Sequence, residues 1–338
     1  MTGSASKTRA WLTWAALALP VVLLVLSLNL GSYPIPLKAV WTTLTHAPAT
    51  GPGAAPTPYA DILFRVRLPR LLLALFAGAA LAVSGASLQA LFQNPLVFEF
   101  SLGISYGAAF GAALSLVFLG RAFPPQLAAF AMAVLAVLLV VLIAGRSASG
   151  IVPVLLSGII VSALFQALLS LVEFVANPYA LQALIFWLMG SLSQAAWGDL
   201  AVTLPVIGLG VLILILLRWR MNVLSLGDDE ARALGVNVRR EKALVIAVAT
   251  LVTAAATSVT GVINWVGLIV PHLVRMAVGA DNRKVLPLSA AFGASLLIVA
   301  DDIARSAASF EIPIGILTSV VGIPFFIVLL KRSGRVWR

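Results

Sequence analysis

The chain alternates between long apolar runs and short polar breaks, and that alternation limits its fold more than any single residue does. Runs of about twenty residues lie at 11–30, 68–92, 101–119, 125–145, 151–172, 197–217, 240–258, 261–279, 285–303 and 313–331. That is the length of a helix that crosses the hydrocarbon core of a bilayer. A segment in lipid must satisfy its own backbone, which leaves only helices and closed barrels. The composition, 61% hydrophobic and 10% charged, lies outside the range of soluble domains. The runs predict an all-α polytopic membrane protein of about ten transmembrane helices. They leave no stretch for a separate soluble domain, so residues 1–338 read as one transmembrane domain. Lys7 and Arg9 precede the first run, which lacks a small-x-small cleavage site and reads as an anchor, not a removed signal peptide.

A net charge of +10 would suggest nucleic acid in a soluble chain. In a membrane protein the first explanation is the bias of Lys and Arg toward cytoplasmic loops. An even number of spans puts both termini on one side. With the N-terminus inside, Lys38, Arg65, Arg67, Arg70, Arg121 and Arg305 fall outside, and the other sixteen of the 22 basic residues fall inside. The asymmetry favours this orientation. Cysteine is absent, so disulfides and thiolate metal sites are excluded.

The most polar break is LSLGDDEARALGVNVRRE, 224–241, inside a connection of about 219–240. It carries four of the twelve acidic residues, Asp228, Asp229, Glu230 and Glu241, together with Arg232, Arg239 and Arg240. Ser225 followed by Asp228 reads as a capping box, and Asp228, Asp229 and Glu230 then occupy a first turn, where negative charge suits the helix dipole. Gly235 is placed to end the helix in a left-handed conformation. The spacing predicts two or three turns, too short and too charged to cross a bilayer. A solvated connection and a docking helix for a soluble partner both fit such a loop; caps at both ends favour docking.

Other breaks carry weaker signals. Thr45–Pro58 reads as an irregular external loop after a short helix near Leu37–Leu44. RVRLPR, 65–70, sets three arginines at the outer surface, where they either snorkel or meet an acidic partner. The second span is dense in Gly, Ala and Ser, and the third has Gly103, Gly107 and Gly111 at a spacing of four, which is a packing signal. Gln93-Asn94-Pro95 breaks the chain. ALQALIFWLMGSL, 180–192, reads as a short amphipathic helix on the outer face. Gly267 and Pro271 predict a kink in the eighth span. His272 stands alone and reads as structural. Asp301 and Asp302 read as a local ion pair with Arg305 in preference to a proton relay.

Catalytic chemistry is hard to place. The chain has no nucleotide-binding loop, zinc helix or nucleophile elbow. No pair of carboxylates falls at mid-membrane, where ion-coupled carriers keep them; Glu99 reads as lying near the cytoplasmic end of a span. Uphill movement of a solute would then draw its energy from a partner.

Seven stretches in order resemble the permease subunits of ABC importers for iron–siderophore, haem and vitamin B12: RLPR (67–70), SGASLQALFQNPL (84–96), LGISYGAAFGA (102–112), FWLMGSL (186–192), LGDDEARALGVNV (226–238), GLIVPHLVR (267–275) and IPIGILTSVVGIPFFIVLL (312–330). The resemblance implies ten helices per subunit, with spans two to five and seven to ten as inverted repeats. It implies a homodimer with its pore at the subunit interface, in the lipid of a bacterial cytoplasmic membrane. It further implies two ATPase subunits inside, which hold ATP and Mg2+, and an extracytoplasmic binding protein outside. This chain would bind no cofactor and no metal of its own, would not be an enzyme, and would have no nucleic-acid partner. By position, Asp228, Asp229, Glu230, Ala231, Arg232, Leu234 and Gly235 form the coupling helix, with Ala231 and Leu234 as its apolar contacts. Arg67, Arg70 and Arg305 match arginines that meet the binding protein. Ser147, Ala148 and Ser149 match a cytoplasmic constriction, and Ser105 and Tyr106 a mid-pore turn. Tyr106 and VFEF, 97–100, depart from the family's usual residues, which bears on pore width and substrate.

An iron–siderophore is the leading substrate, with cobalamin, haem and molybdate as alternatives. An ion-coupled secondary carrier is the reading from another class, disfavoured by the missing mid-membrane charges. A structural scaffold would need neither the hinge-like GRSASG, 145–150, nor a capped loop.

Overall fold

The structure is a computed structural model that describes residues 2–31, 33–45, 58–145, 151–308 and 310–333, and the described residues contain helices and no strand. The helices are α1 (Thr2–Ser27), α2 (Leu37–Thr45), α3 (Pro58–Asp61), α4 (Leu68–Leu91), α5 (Ile104–Leu114), α6 (Pro125–Ala144), α7 (Ile151–Val175), α8 (Pro178–Leu188), α9 (Trp197–Leu216), α10 (Arg218–Leu224), α11 (Asp228–Ala233), α12 (Val238–Thr260), α13 (Val266–Val278), α14 (Asn282–Ser306) and α15 (Ile314–Ser333). A wide turn at Ile62–Arg67 joins α3 to α4 without a break. The short helices α2 and α8 lie where the sequence predicts them, and Asn177 caps α8 by accepting from the Ala180 N–H at 2.9 Å.

Among the described residues, six helices are long and apolar enough to cross a membrane: Tyr59–Leu91, Pro125–Ala144, Val152–Val175, Trp197–Leu216, Val238–Thr260 and Asn282–Ser306. The other four expected spans hold shorter apolar helices, Trp14–Ser27, Ile104–Leu119, Val266–Val278 and Ile314–Ile327. The eighth run shows why. Its helix α13 has 13 residues, about 20 Å at 1.5 Å per residue, short of a core about 30 Å thick. Gly261 to Trp265 lead into it as non-helical chain, with positive φ at Gly261 (68°) and Trp265 (72°). Such backbone survives at membrane depth only when protein covers it, and Gly261, Val262 and Ile263 are buried. The Thr260 carbonyl accepts from the Ser191 N–H at 2.8 Å. The break thus precedes the helix, and α13 runs on through Gly267 and Pro271, where the sequence predicts a kink.

α4 is the central element, buried along most of its length and packed against α9, α12, α13 and α14. Its small residues make that possible. A Cβ at Gly78 would lie 2.2 Å from the Gly293 carbonyl oxygen of α14, and one at Gly85 would lie 1.9 Å from that of Gly267 on α13. Gly107 and Gly111 serve α5 in the same way against α6. Gly103 does not share that face: it opens α5 with φ 73°. Backbone approaches this close strengthen dispersion where lipid offers no hydrophobic drive between helices.

Candidate functional site

α11 and its supports form the most elaborate polar structure at one end of the bundle. The supports begin with α10. Its apolar residues Met221, Val223 and Leu224 are buried, so the helix seats on α4 and α14. The amide of Asn222 donates to Asp281 at 2.7 Å and accepts from the Asn282 N–H at 2.8 Å. The Gln93 amide donates to the Leu224 carbonyl at 3.2 Å. Gln93 holds φ 48°, and the Asn94 side chain accepts from the Leu96 N–H, so the break predicted at Gln93-Asn94-Pro95 is a rigid turn. Asp281 also accepts from the Arg283 N–H. The Asn222 hydrogen bond and that N–H hold its carboxyl below the usual carboxylate range.

The helix itself has six residues, fewer than two turns and shorter than predicted. The expected capping box is not formed. Gly227, at φ 131°, is the N-cap and supplies no side chain. The Ser225 hydroxyl instead donates to the Met221 carbonyl at 2.7 Å, because Ser225 already follows a helical turn. The C-terminal expectation holds. Gly235 has φ 80°; its N–H donates to Arg232 at 2.9 Å, and the Val236 N–H reaches back to Ala231 at 3.0 Å. That pair of bonds is the Schellman arrangement. Asn237 then caps α12 by accepting from the Arg240 N–H.

Ion pairs fix the helix on its base. Asp228 meets the Lys242 ammonium of α12 at 2.7 Å, while Arg232 meets Asp229 at 2.6 Å within α11 itself. Arg220 pairs with Glu241. Ala231 is fully buried beneath the helix, whereas Leu234 is 62% exposed. The two do not share an outward face, so the expected Ala231 contact is corrected: α11 points that side at α12. Leu226, 61% exposed, takes its place. Two free leucines therefore flank a short acidic helix. No composition signal marks Leu226; it faces out because Gly227 reverses the chain just after it.

The opposite end holds a second charge cluster. Arg70 pairs with Asp301 at 2.7 Å and with Glu311 at 2.5 Å. Arg305 pairs with Asp301 at 3.4 Å and with Asp302. Arg67 donates to the carbonyls of Leu28 and Tyr33, and the Ser27 hydroxyl donates to Asp302. Asp301 is fully buried, and the side chains of Arg70 and Arg305 are each 9% exposed. The local pairing of Asp301 and Asp302 with Arg305 is as expected. The expected docking patch of Arg67, Arg70 and Arg305 is not: these cations face inward onto acids and carbonyls. Arg65, by contrast, has a side chain 80% exposed and paired with Asp61 at 3.1 Å. Beside Glu311 opens a cavity of about 540 Å³, lined in part by Ser191, Ser193, Gln194 and Thr260.

The remaining site residues divide. Ser147, Ala148 and Ser149 lie outside the described residues, as does the 46–57 part of the external loop. Ser105 is buried in the single chain. Tyr106 is half-buried and meets Phe100 edge to face, with centroids 5.4 Å apart. Glu99, in the connector between α4 and α5, is 2% exposed and its Oε1 has no hydrogen-bond partner. Its other oxygen lies against Gly267, 2.6 Å from where a Cβ would stand. It is therefore a core residue, not one at a span's edge, and burial pushes its carboxyl up to about 7. Among the described residues no His, Asp or Glu cluster could hold a metal ion.

Comparison with known proteins supplies what geometry alone does not. The model of the FecCD transport family matches residues 19–332. The hemin transport system permease protein of Yersinia pestis is 40% identical over 326 residues, with 94% of each chain covered. The cobalamin import system permease protein of Halobacterium salinarum is 38% identical, with 98% of each chain covered. A solved transporter described as of the metal-chelate ABC type, in an inward-facing conformation, superposes with a TM-score of 0.83 at 36% identity, covering 96% of this chain and 99% of that one. With that match running from within its first span to its last helix, this chain belongs to the FecCD transport family.

Proposed function

We propose that this chain is the permease of an ATP-binding-cassette importer, working as a homodimer in a bacterial cytoplasmic membrane, and that it carries a metal chelate with an iron–siderophore as the leading substrate. All ten apolar runs cross the bilayer in this reading, the short ones in company with buried non-helical chain, and both termini are cytoplasmic. Two ATPase subunits, which hold ATP and Mg2+, dock on α11 from the cytoplasm. A binding protein delivers substrate to the far end, where the cavity beside Glu311 forms the vestibule. Arg65, not the buried arginines, is then the cation of RVRLPR that this partner reaches.

The observation that carries the reading is the build of α11. Its base is fixed by the Asn222–Asp281 and Asp228–Lys242 contacts, while Leu226 and Leu234 stay exposed in a loop outside any spanning helix. A connection with no partner has no reason to combine a rigid base with two free leucines. Relatives of near-equal identity are named for haem and for cobalamin, so identity does not separate these substrates, and molybdate is a further alternative. Uptake into proteoliposomes holding this chain, its ATPase and its binding protein tests the reading. Labelled ferric siderophore, cobalamin, haem and molybdate are compared, and uptake that persists without ATP hydrolysis overturns it.

One observation favours a second reading. A buried carboxyl with one oxygen unpartnered, Glu99, is what a proton-coupled carrier would need. An uncoupler with ATP held constant, applied to wild type and Glu99→Gln, decides: importer uptake survives both changes, and carrier uptake survives neither.

A further inference from the structure

A groove between α6 and α12 opens near the α11 end of the bundle, with a volume of about 400 Å³. Its floor is made by Ala243 and Ala247, exposed small residues one turn apart on α12, and it continues to Leu251. Leu138 and Val141 of α6 form a wall, 60% and 41% exposed. The small residues of α12 leave space opposite the branched ones of α6, and no side chain of the described residues fills the gap. The mouth differs from the floor: it is formed by Arg239 and Lys242.

The charges at the mouth are unequal. Asp228 holds Lys242 from above, and Arg220 holds Glu241. Arg239 is exposed and has no ion pair among the described residues. The groove thus presents a cation at the polar end of an apolar slot. Its length follows from the register: Arg239 to Leu251 is twelve residues, about 18 Å at 1.5 Å each. Half of a hydrocarbon core is about 15 Å. The slot therefore runs from the headgroup level to about the bilayer centre, the depth of one acyl chain.

We propose that this groove holds an acyl chain of an anionic phospholipid, with the lipid phosphate on Arg239 beside Lys242. Charge complementarity selects an anionic headgroup over a zwitterionic one, since basic residues at the membrane surface attract anionic lipid. The apolar slot selects a lipid over free phosphate. The site lies next to the Asp228–Lys242 contact, so a bound phosphate would stand within the supports of α11. The proposal is independent of what the permease carries.

The test uses the full chain purified from membranes and passed through nanodiscs of phosphatidylglycerol or of phosphatidylcholine, then analysed by native mass spectrometry. Wild type is expected to keep a phosphatidylglycerol adduct at least tenfold above phosphatidylcholine. Arg239→Glu is expected to reduce that preference to twofold or less while adducts persist. Ala247→Trp fills the slot and should remove both adducts; Ala243→Phe gives the same reading if the tryptophan prevents folding. Equal retention of the two lipids by wild type overturns the proposal. So does an adduct unchanged in both filling variants. A disulfide between two copies through Leu138→Cys overturns it as well, because a second chain would then cover the groove.

Discussion

Replacing Asp301 with Asn tests whether the outer arginines hold the fold together or face a partner. Asp301 is fully buried and is shared by Arg70 at 2.7 Å and Arg305 at 3.4 Å. The cluster balances three cations, Arg67, Arg70 and Arg305, against three acids, Asp301, Asp302 and Glu311. Asn keeps the shape and removes one charge, leaving two guanidinium groups that are 9% exposed with one acid each. Removing one partner of a buried ion pair costs about 3–5 kcal/mol. Glu311 and Asp302 still neutralise part of the charge, so the lower end of that range is the expectation. At about 2 °C per kcal/mol for a large chain, the apparent melting temperature should fall by roughly 6 °C. The assay is the loss of the monodisperse peak on size-exclusion chromatography after heating in mild detergent. Asp61→Asn is the control, because the Arg65–Asp61 pair is exposed and such pairs are worth about 0–1 kcal/mol. Arg70→Met combined with Asp301→Leu should regain part of the loss, since apolar replacement of a whole buried pair is often neutral. Asp301→Asn with the heat stability of wild type would refute the account and return these arginines to the surface.

Three more outcomes follow from the geometry. Leu234→Asp should leave membrane levels and heat stability near wild type, as exposed changes cost no more than about 0.5 kcal/mol, yet abolish co-purification of the ATPase; retained co-purification with full transport sinks the docking role of α11. The Glu99 carboxyl is raised from 4.5 to about 7, so the folded chain keeps a proton that the unfolded chain releases, and stability should decline as pH rises from 4.5 to 7 and stay level above. Glu99→Gln should remove that decline, and equal pH dependence of the two melting temperatures contradicts the assignment. Because the chain has no cysteine, Asp229→Cys should be labelled only from the cytoplasm and Tyr179→Cys only from outside; the reverse pattern inverts the orientation.

The residues that were legible in the sequence are those whose structure is decided locally. Gly235 ends α11 because the chain must turn there in the left-handed region, and no distant contact alters that need. Gly107 and Gly111 pack closely for the same kind of reason: a spacing of four fixes one helix face. Local rules failed where a remote group intervenes. Ser225 looks like an N-cap, but α10 immediately before it claims the hydroxyl. Ala231 and Leu234 are three apart and should share a face, but the helix ends between them and the chain turns away. Arg67 and Arg70 sit in a stretch that reads as surface, yet Asp301 lies 231 positions along the chain from Arg70, and periodicity carries no information about such a pairing. Glu99 was misplaced because the run it precedes begins as a short 3-10 turn folded into the bundle, which hydropathy cannot distinguish from a loop at the rim.

The two polar clusters stand at opposite ends of one helix. α14 begins at Asn282, whose N–H binds Asn222 beneath α11, and carries Asp301, Asp302 and Arg305 near its far end. Its 25 residues span about 37 Å, so both clusters are held by a single rod. Near its middle that rod meets α4 at Gly78 and Gly293, where each glycine faces the other's backbone with no space for a Cβ. Packing that close resists sliding, because any side chain brought into register would collide with a carbonyl. The acids that bury Arg70 and Arg305 and the amide that seats α10 are therefore two ends of one mechanical element.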